Sequence, residues 1–393
     1  MDFRDTPEEA TFRAELRSWF AANLPPGWAD REPTVGLEDP EFSRAWSARL
    51  FAAGYSGITW PKEYGGLGLP PTYQGIYLEE SARHDAPAHI GVIGLGMAGP
   101  TILAWGTEEQ KSRYLSRLLS GAEVWCQGFS EPDAGSDLAG ARTRAELDGN
   151  AWVVNGQKVW SSYAHIADHC ILVVRTDPAA ERHRGLSYLL VDMKSPGVVV
   201  RPLRQITGDP EFNEIYFTDV RVPRESMLGA PGEGWNVAMT TLLHERGTLG
   251  FALTARFEAL LGRLVETARA TRPDGVRPAD DPLVRDRVAG LAIDLEALRF
   301  TNYRALTSLV RTGAPGPEGS VAKLHWSEAN QRLTKLAQDV LGPASRVDGA
   351  DAWWGGFWAY QQLRSRGNTI EAGTSEVLRN IIAERVVGLP RSR

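Results

Sequence analysis

Two glutamates and three short runs are the parts of this chain best suited to chemistry. Glu245 stands in LLHERG between His244 and Arg246, and Glu371 precedes Ala372 in NTIEAGTSEVLRNIIAERVVGLP. A carboxylate held in a dry site has its pKa raised toward neutrality and can take a proton from a weakly acidic carbon. Taken alone, Glu245 is equally an ordinary helix glutamate paired with Arg246 or His244. In CQGFSEPDAGSD (126–137), Gly135 and Ser136 form a loop with little side-chain bulk, so backbone can approach phosphates or a polar ligand arm. WVVNGQKVWSS (152–162) adds Trp160 and Ser162, which in isolation are a core tryptophan and a turn serine. Thr374, followed by Ser375 and Glu376, has the pattern of a helix N-cap with an acidic first turn, and a helix N-terminus suits polar anionic ligands.

Composition excludes several classes. The chain has 393 residues, too many for one ordinary domain, and a formal charge of −6 with no basic run, which gives nucleic-acid binding no electrostatic support. Cys126 and Cys170 are the only cysteines and form no CxxC pair, so buried free thiols are expected, not a disulfide framework or a zinc site, and no metal is expected. The start, MDFRDTPEEATFRAEL, is acidic and lacks an apolar signal region, and no stretch approaches the roughly 20 apolar residues of a membrane span. A soluble, cytoplasmic protein without a membrane partner is the expectation.

The elements that must position these residues change character twice along the chain. Thr6 and Glu9 make a capping box, Pro7 suits the first helical turn, and Phe12, Leu16, Trp19 and Phe20 recur at helical spacing. After a Pro- and Gly-rich loop (60–71), helices are expected through LEESARHD and EEQKSRYLSRLL. From about Val124 the texture is strand-like: Asp148-Gly149 and Asn155-Gly156 predict tight turns flanking Trp152–Val154, and further strands are expected at 170–176, 186–193, 198–203 and 214–223. Long helical patterns return after Gly234, broken at 272–282 and 313–319. Helices, then an antiparallel sheet or barrel, then helices is an order that strand–helix alternation does not produce, and no glycine-rich phosphate loop of the P-loop or dinucleotide type is expected.

With these motifs in hand, the chain resembles the acyl-CoA dehydrogenases over nearly its whole length. CQGFSEPDAGSD and WVVNGQKVWSS are similar to the family's two flavin-binding signatures, and GTSEVLRNIIAERVVGLP is nearly its usual ending. The resemblance implies an α+β fold: a helical N-terminal domain (1–123), an antiparallel β middle domain (124–229) and a C-terminal four-helix bundle (230–393). It implies FAD as cofactor. Gln127, Phe129 and the Ser130 hydroxyl would bond the pyrimidine edge of the flavin, where negative charge gathers on reduction. Gly135 and Ser136 would approach the FAD phosphates or the pantetheine arm of the substrate. Trp160 would lie against the ring, and Ser162, where relatives more often have threonine, would bond N5. Gln338, Gly342, Thr374 and Glu376 match further FAD contacts.

In most of the family the position of Ala372 carries the glutamate that removes the substrate's α-proton while the β-hydrogen leaves as hydride. Ala372 cannot do so. Glu245 with Arg246 resembles the Glu-Arg of the isovaleryl- and long-chain-type members, whose base reaches the site from another helix, and Glu371 remains the alternative. The family's thioester oxygen takes a bond from the backbone N–H at the Ala372 position, which alanine retains, and loss of the glutamate side chain implies room for a bulky or branched acyl group.

Two departures bear on assembly. The Arg-x-x-Phe-Gly motif, whose arginine reaches a neighbour's FAD, is replaced by TRPDGVRPADDPLVRDR, leaving Arg272 or Arg277 as substitutes, and Gln-x-x-x-Gly-Gly stands as QDVLGP, with Pro343 for the second glycine. The chain resembles actinobacterial FadE-type enzymes, including those acting on sterol side-chain thioesters, some of which are α2β2 heterotetramers. The expected function is dehydrogenation of an acyl-CoA to the trans-2-enoyl-CoA, with electron-transferring flavoprotein as acceptor, in a homodimer, homotetramer or α2β2 assembly. A non-catalytic flavin-binding subunit, an oxidase and a carrier-protein thioester dehydrogenase are the alternatives.

Overall fold

The structure, a computed structural model, describes residues 4–28, 39–272, 274–313, 316–347 and 352–391, apart from the side chains of 245–249. The chain divides into two compact units, one of Met1–Pro33, Pro71–Ala86 and Arg246–Arg393, the other of Thr34–Pro70 and Pro87–Glu245.

The first unit is helical. Helix α1 (Pro7–Asn23) starts at Thr6, whose hydroxyl accepts from Glu9 N at 3.2 Å while the Glu9 carboxylate accepts from Thr6 N at 2.9 Å, the capping box expected from sequence. Its buried face, Phe12, Leu16 and Phe20, meets α3 (Pro71–Arg83) through edge-on contact of Phe12 with Tyr73. α6 (Gly234–Arg269) belongs to this unit from Arg246 onward and packs with α7 (Pro282–Thr312), α8 (Glu318–Leu341) and α9 (Phe357–Asn368) around Phe257, Leu264, Leu298, Leu333, Ala337 and Trp358. Each such fully buried large side chain contributes about 1.5–3 kcal/mol relative to exposure. α10 (Ser375–Arg385) follows and contacts α8.

The second unit holds α2 (Pro40–Ala52), α4 (Gly99–Trp105), α5 (Glu108–Leu119), the sheet, and the start of α6. Its strands are β1 (Trp125–Gly128), β2 (Arg144–Asp148), β3 (Ala151–Ser162), β4 (His169–Arg175), β5 (Leu186–Asp192), β6 (Val198–Leu203), β7 (Phe212–Pro223) and β8 (Met227–Leu228). Among the described residues they form one eight-stranded sheet ordered β6-β7-β3-β2-β4-β5-β8, with β1 on β4. Pairing is antiparallel except for β1 with β4 and the single Arg144–Arg175 pair, because the chain makes an excursion through β2 and β3 before β4 returns beside β1.

Both faces of β4 and β5 are covered, which is why they read as unbroken apolar runs. Ile171, Val173, Leu186, Tyr188 and Leu190 pack with Ile102, Leu115, Leu118 and Val237 of the helices. Cys170, Leu172, Val174, Leu189 and Val191 pack with Val154, Ile215, Phe217 and Val220 of the β3–β7 ribbon. Cys126 and Cys170 are free, buried register partners.

Asp148-Gly149 makes the expected hairpin turn, with Asp148 opposite Ala151 and Gly149 at φ +60°. Asn155-Gly156 does not: it lies within β3, where the register against β7 shifts between Val154 and Gly156. Asn155 instead bonds Asp219 across the strands, accepting from its N–H at 2.9 Å and donating to its carboxylate at 3.0 Å. Gly156 has φ +152°, and a Cβ there would come within 2.6 Å of Thr143 Oγ1. Gly156→Val is therefore expected to lower stability by about 1–3 kcal/mol, read as a loss of denaturation midpoint. An unchanged midpoint would mean the bulge relaxes freely.

Gly94, Gly96 and Gly99 match the spacing of a dinucleotide loop, against the expectation that none occurs. They lie in a π-helical turn (Gly94–Ala98) running into α4, not between a strand and a helix, and a Cβ on Gly99 would lie 1.9 Å from Trp60. Close packing against Trp60 accounts for Gly99. No helix among the described residues is long and apolar enough to cross a membrane.

Candidate functional site

In the sheet-containing unit, the structure joins two of the three sequence runs into one platform. Gln127 is half-buried on β1 opposite Ile171, and Phe129, which is buried, makes an edge-on contact with Tyr188. Just beyond, the Ser130 carbonyl accepts from Val159 N at 2.9 Å, so the segment after β1 is stitched to the middle of β3. A tight turn closed by reciprocal Glu131–Ala134 backbone bonds then delivers Gly135 and Ser136 to the surface, with nothing within 4 Å of a Cβ position on Gly135.

The same stretch of β3 carries a second bulge. Between Lys158 and Ser161 the register against β7 shifts, Trp160 takes φ +61°, and its indole is turned out to 60% exposure, edge-on to Phe212. Left-handed backbone at a bulky residue is costly, and it persists here because both flanks are fixed. Ser161 is buried with its hydroxyl lacking a hydrogen-bond partner among the described residues, and Ser162 is half-buried opposite Phe212.

Lys158, which sequence reasoning missed, lies beneath this platform. It is fully buried, and its ammonium donates to the Phe129 carbonyl at 3.0 Å and to Glu131 Oε1 at 2.8 Å. Glu131 also accepts from Thr143 N at 2.8 Å and Arg142 N at 2.7 Å. Burial pushes the Glu131 pKa up, but Lys158 and the two amides outweigh it and hold the carboxyl below its ordinary value. The sequence places the lysine in one motif and the glutamate in the other, but nothing in it pairs them.

In the helical unit, Ala372 and Gly373 take φ +51° and +95° in the turn between α9 and α10. A second buried lysine, Lys323 of α8, donates to the carbonyls of Asn368 and Gly373, both at 2.8 Å, and so fixes this turn. Glu371 is held at both oxygens: Arg364 bonds Oε2 at 2.9 Å and Asn368 Nδ2 bonds Oε1 at 2.8 Å. Thr374 caps α10, accepting from Val377 N at 3.2 Å, as expected from sequence. Glu376 is exposed in the first turn, and bonds from its own amide and from Thr374 hold its carboxyl below the ordinary value.

The Gln338 amide donates to the Trp358 carbonyl at 2.9 Å, and Gly342 ends α8 at φ +60°, where a Cβ would lie 2.6 Å from the Arg272 guanidinium. Arg272 bonds Asp274 at 2.7 Å and the Val340 carbonyl at 3.3 Å, and Arg277 bonds the Arg269 carbonyl at 3.1 Å, so both arginines cap helix C-termini. Glu245 and Arg246 lie in α6, but their side chains fall outside the described residues; the neighbouring His244 ring has its pKa lowered by burial. A cavity of about 270 Å³ in this unit, lined by Arg13, Glu79, Arg83, Phe251, Arg299 and Tyr303 among others, contains none of the candidate residues.

Three family models match consecutive stretches of the chain: the N-terminal domain of acyl-CoA dehydrogenase at 6–122, the middle domain at 126–220 and the C-terminal domain at 232–387. The chain belongs to the acyl-CoA dehydrogenase family. It is thus an oxidoreductase acting on CH–CH groups with a flavin acceptor, and its helical, β and helical regions are those of the acyl-CoA dehydrogenase fold. Acyl-CoA dehydrogenase IpdE1 of Mycobacterium tuberculosis is 44% identical over 390 residues, covering 97% of each chain. Among solved structures, the ChsE4–ChsE5 complex from Mycobacterium tuberculosis aligns with TM-score 0.86 and 33% identity over 100% of both chains. The Tcur3481–Tcur3483 steroid acyl-CoA dehydrogenase aligns with the same score, identity and coverage.

Proposed function

We propose that this acyl-CoA dehydrogenase holds FAD and converts a bulky or branched acyl-CoA, of the sterol side-chain class, to the trans-2-enoyl-CoA. Support for FAD comes from the platform itself: an outward-turned Trp160, an unobstructed Gly135 backbone, and the buried, unpartnered Ser161 hydroxyl beside it. Gln127, Phe129, Ser130, Trp160 and Ser162 would hold the flavin ring, and Gly135, Ser136, Gln338, Gly342, Thr374 and Glu376 the remainder. FAD, when bound, supplies the acceptor for the β-hydride.

The chain's own residues do the rest. Glu245 takes the α-proton, the Ala372 N–H bonds the thioester oxygen, and Arg246 and Ser136 contact the substrate. The observation that carries this reading is the engagement of Glu371 by Arg364 and Asn368 beside an Ala372 that has no carboxylate, which leaves Glu245 as the base. The similar solved structures, a steroid acyl-CoA dehydrogenase and a complex of two different chains, favour the sterol class and an α2β2 assembly over a homo-oligomer. The capping roles of Arg272 and Arg277 favour the same assembly, since a partner would then supply the phosphate-binding arginine. Three domains at 1–123, 124–229 and 230–393, a cytoplasmic setting, and electron-transferring flavoprotein as acceptor complete the proposal.

The test is anaerobic titration of the FAD-loaded protein, alone and co-expressed with a paralogous subunit, with straight-chain, branched and sterol side-chain acyl-CoAs. Flavin bleaching by the sterol class is the expected result. Bleaching only by straight chains would overturn the substrate class, and bleaching by the lone chain would overturn the requirement for a partner.

A further inference from the structure

We propose that Lys158 is a positioning residue for the flavin, fixing as one rigid piece the segment after β1 and the bulge that presents Trp160 and Ser162. The inference rests on the flavin-site reading above and goes beyond it by naming the residue that sets the geometry.

Five bonds tie these segments together. From one side, Lys158 Nζ reaches the Phe129 carbonyl at 3.0 Å and Glu131 at 2.8 Å. One residue later along β3, Val159 N reaches the Ser130 carbonyl at 2.9 Å. Two residues later, Trp160 adopts its left-handed backbone. Because Glu131 is also anchored on the amides of Arg142 and Thr143, the ammonium links three backbone segments that are distant in sequence. The Phe129 carbonyl faces Lys158, which turns the N–H of the same peptide group, that of Ser130, the opposite way, while the Ser130 carbonyl and the Glu131 N–H are held by Val159 and Ala134.

A buried ion pair adds little net stability over apolar residues of similar volume, so stability alone gives a weak reason for a lysine with no exposure at this position. What an apolar side chain cannot supply is the pair of directional bonds to Phe129 and Glu131. Removing Lys158 by itself would leave the Glu131 carboxylate without its cation and would confound folding with positioning. Removing both charges separates the two.

The experiment compares FAD-loaded wild type, Lys158→Met, Lys158→Met/Glu131→Gln, Ser130→Ala and Ser162→Ala, prepared in the assembly that binds flavin. Thermal midpoint, FAD affinity by fluorescence, visible circular dichroism of the bound flavin, and the anaerobic rate of flavin reduction by saturating acyl-CoA are measured. The double variant is expected to recover the midpoint lost in Lys158→Met, yet to show an altered flavin dichroism, FAD affinity weaker by about tenfold, and a similarly slowed reduction. A double variant that recovers flavin spectrum, affinity and rate together with the midpoint overturns the proposal and leaves Lys158 a core ion pair. If Ser130→Ala and Ser162→Ala leave all flavin readouts unchanged, the flavin-site reading falls, and this proposal with it.

Discussion

Glu245→Gln is expected to slow flavin reduction by saturating acyl-CoA about 10²–10⁴-fold, the range a positioned general base contributes, while the thioester still binds. Glutamine keeps the size of the side chain and removes only its ability to accept a proton. The control is Glu371→Gln. Glu371 is fixed by Arg364 and Asn368, so neutralising it loosens the turn that carries Ala372 and is expected to slow reduction by less than about tenfold. Stopped-flow absorbance under anaerobic conditions measures both. A Glu371→Gln enzyme that never bleaches, beside a Glu245→Gln enzyme that does, would exchange the two assignments.

The largest stability effect is expected at Glu80. This side chain has no exposure and accepts from Arg13 at 2.9 Å, Arg17 at 2.8 Å and Arg83 at 2.8 Å. Breaking a buried ion pair costs about 3–5 kcal/mol, and the lower end is expected here because Arg17 and Arg83 are half exposed and Arg13 keeps Asp5 and Glu79. Glu80→Gln should show that loss in denaturant unfolding at pH 7. Burial works to raise the Glu80 pKa, and Arg17 and Arg13 outweigh it, so the folded value lies below the ordinary one. A carboxyl depressed in the folded state contributes fully above its unfolded pKa of about 4.3 and loses that contribution as pH falls through the lower folded value. The gap between wild type and Glu80→Gln should therefore narrow in acid. A gap below about 1 kcal/mol at pH 7, or one that does not change with acidification, would show that the arginines find other partners.

Much of this was legible in the residues because local rules and tertiary packing agreed. Thr6 with Glu9 and Thr374 before α10 cap their helices as their side chains dictate, and the apolar runs of β4 and β5 are strands because both their faces are covered. Asn155-Gly156 misled because turn chemistry and bulge chemistry use the same residues, and only the Thr143 contact and the Asp219 bonds distinguish them. Lys158 and Lys323 were illegible for a different reason. Lysine is expected at the surface, and nothing in one dimension shows that a carbonyl of Phe129 or Gly373 waits in the interior. The candidate flavin residues were found as motif members, but the device that holds them together was not.

The two ends of the sheet carry a consequence for assembly. On one side the outermost strand is β6, which carries Arg201 and Pro202, the latter with no N–H to offer; on the other it is β8, only two residues long. Such borders disfavour an incoming strand. Growing this sheet sideways is disfavoured as a way to recruit a second polypeptide; recognition through side chains instead would write its fidelity in surface residues that can diverge between paralogues.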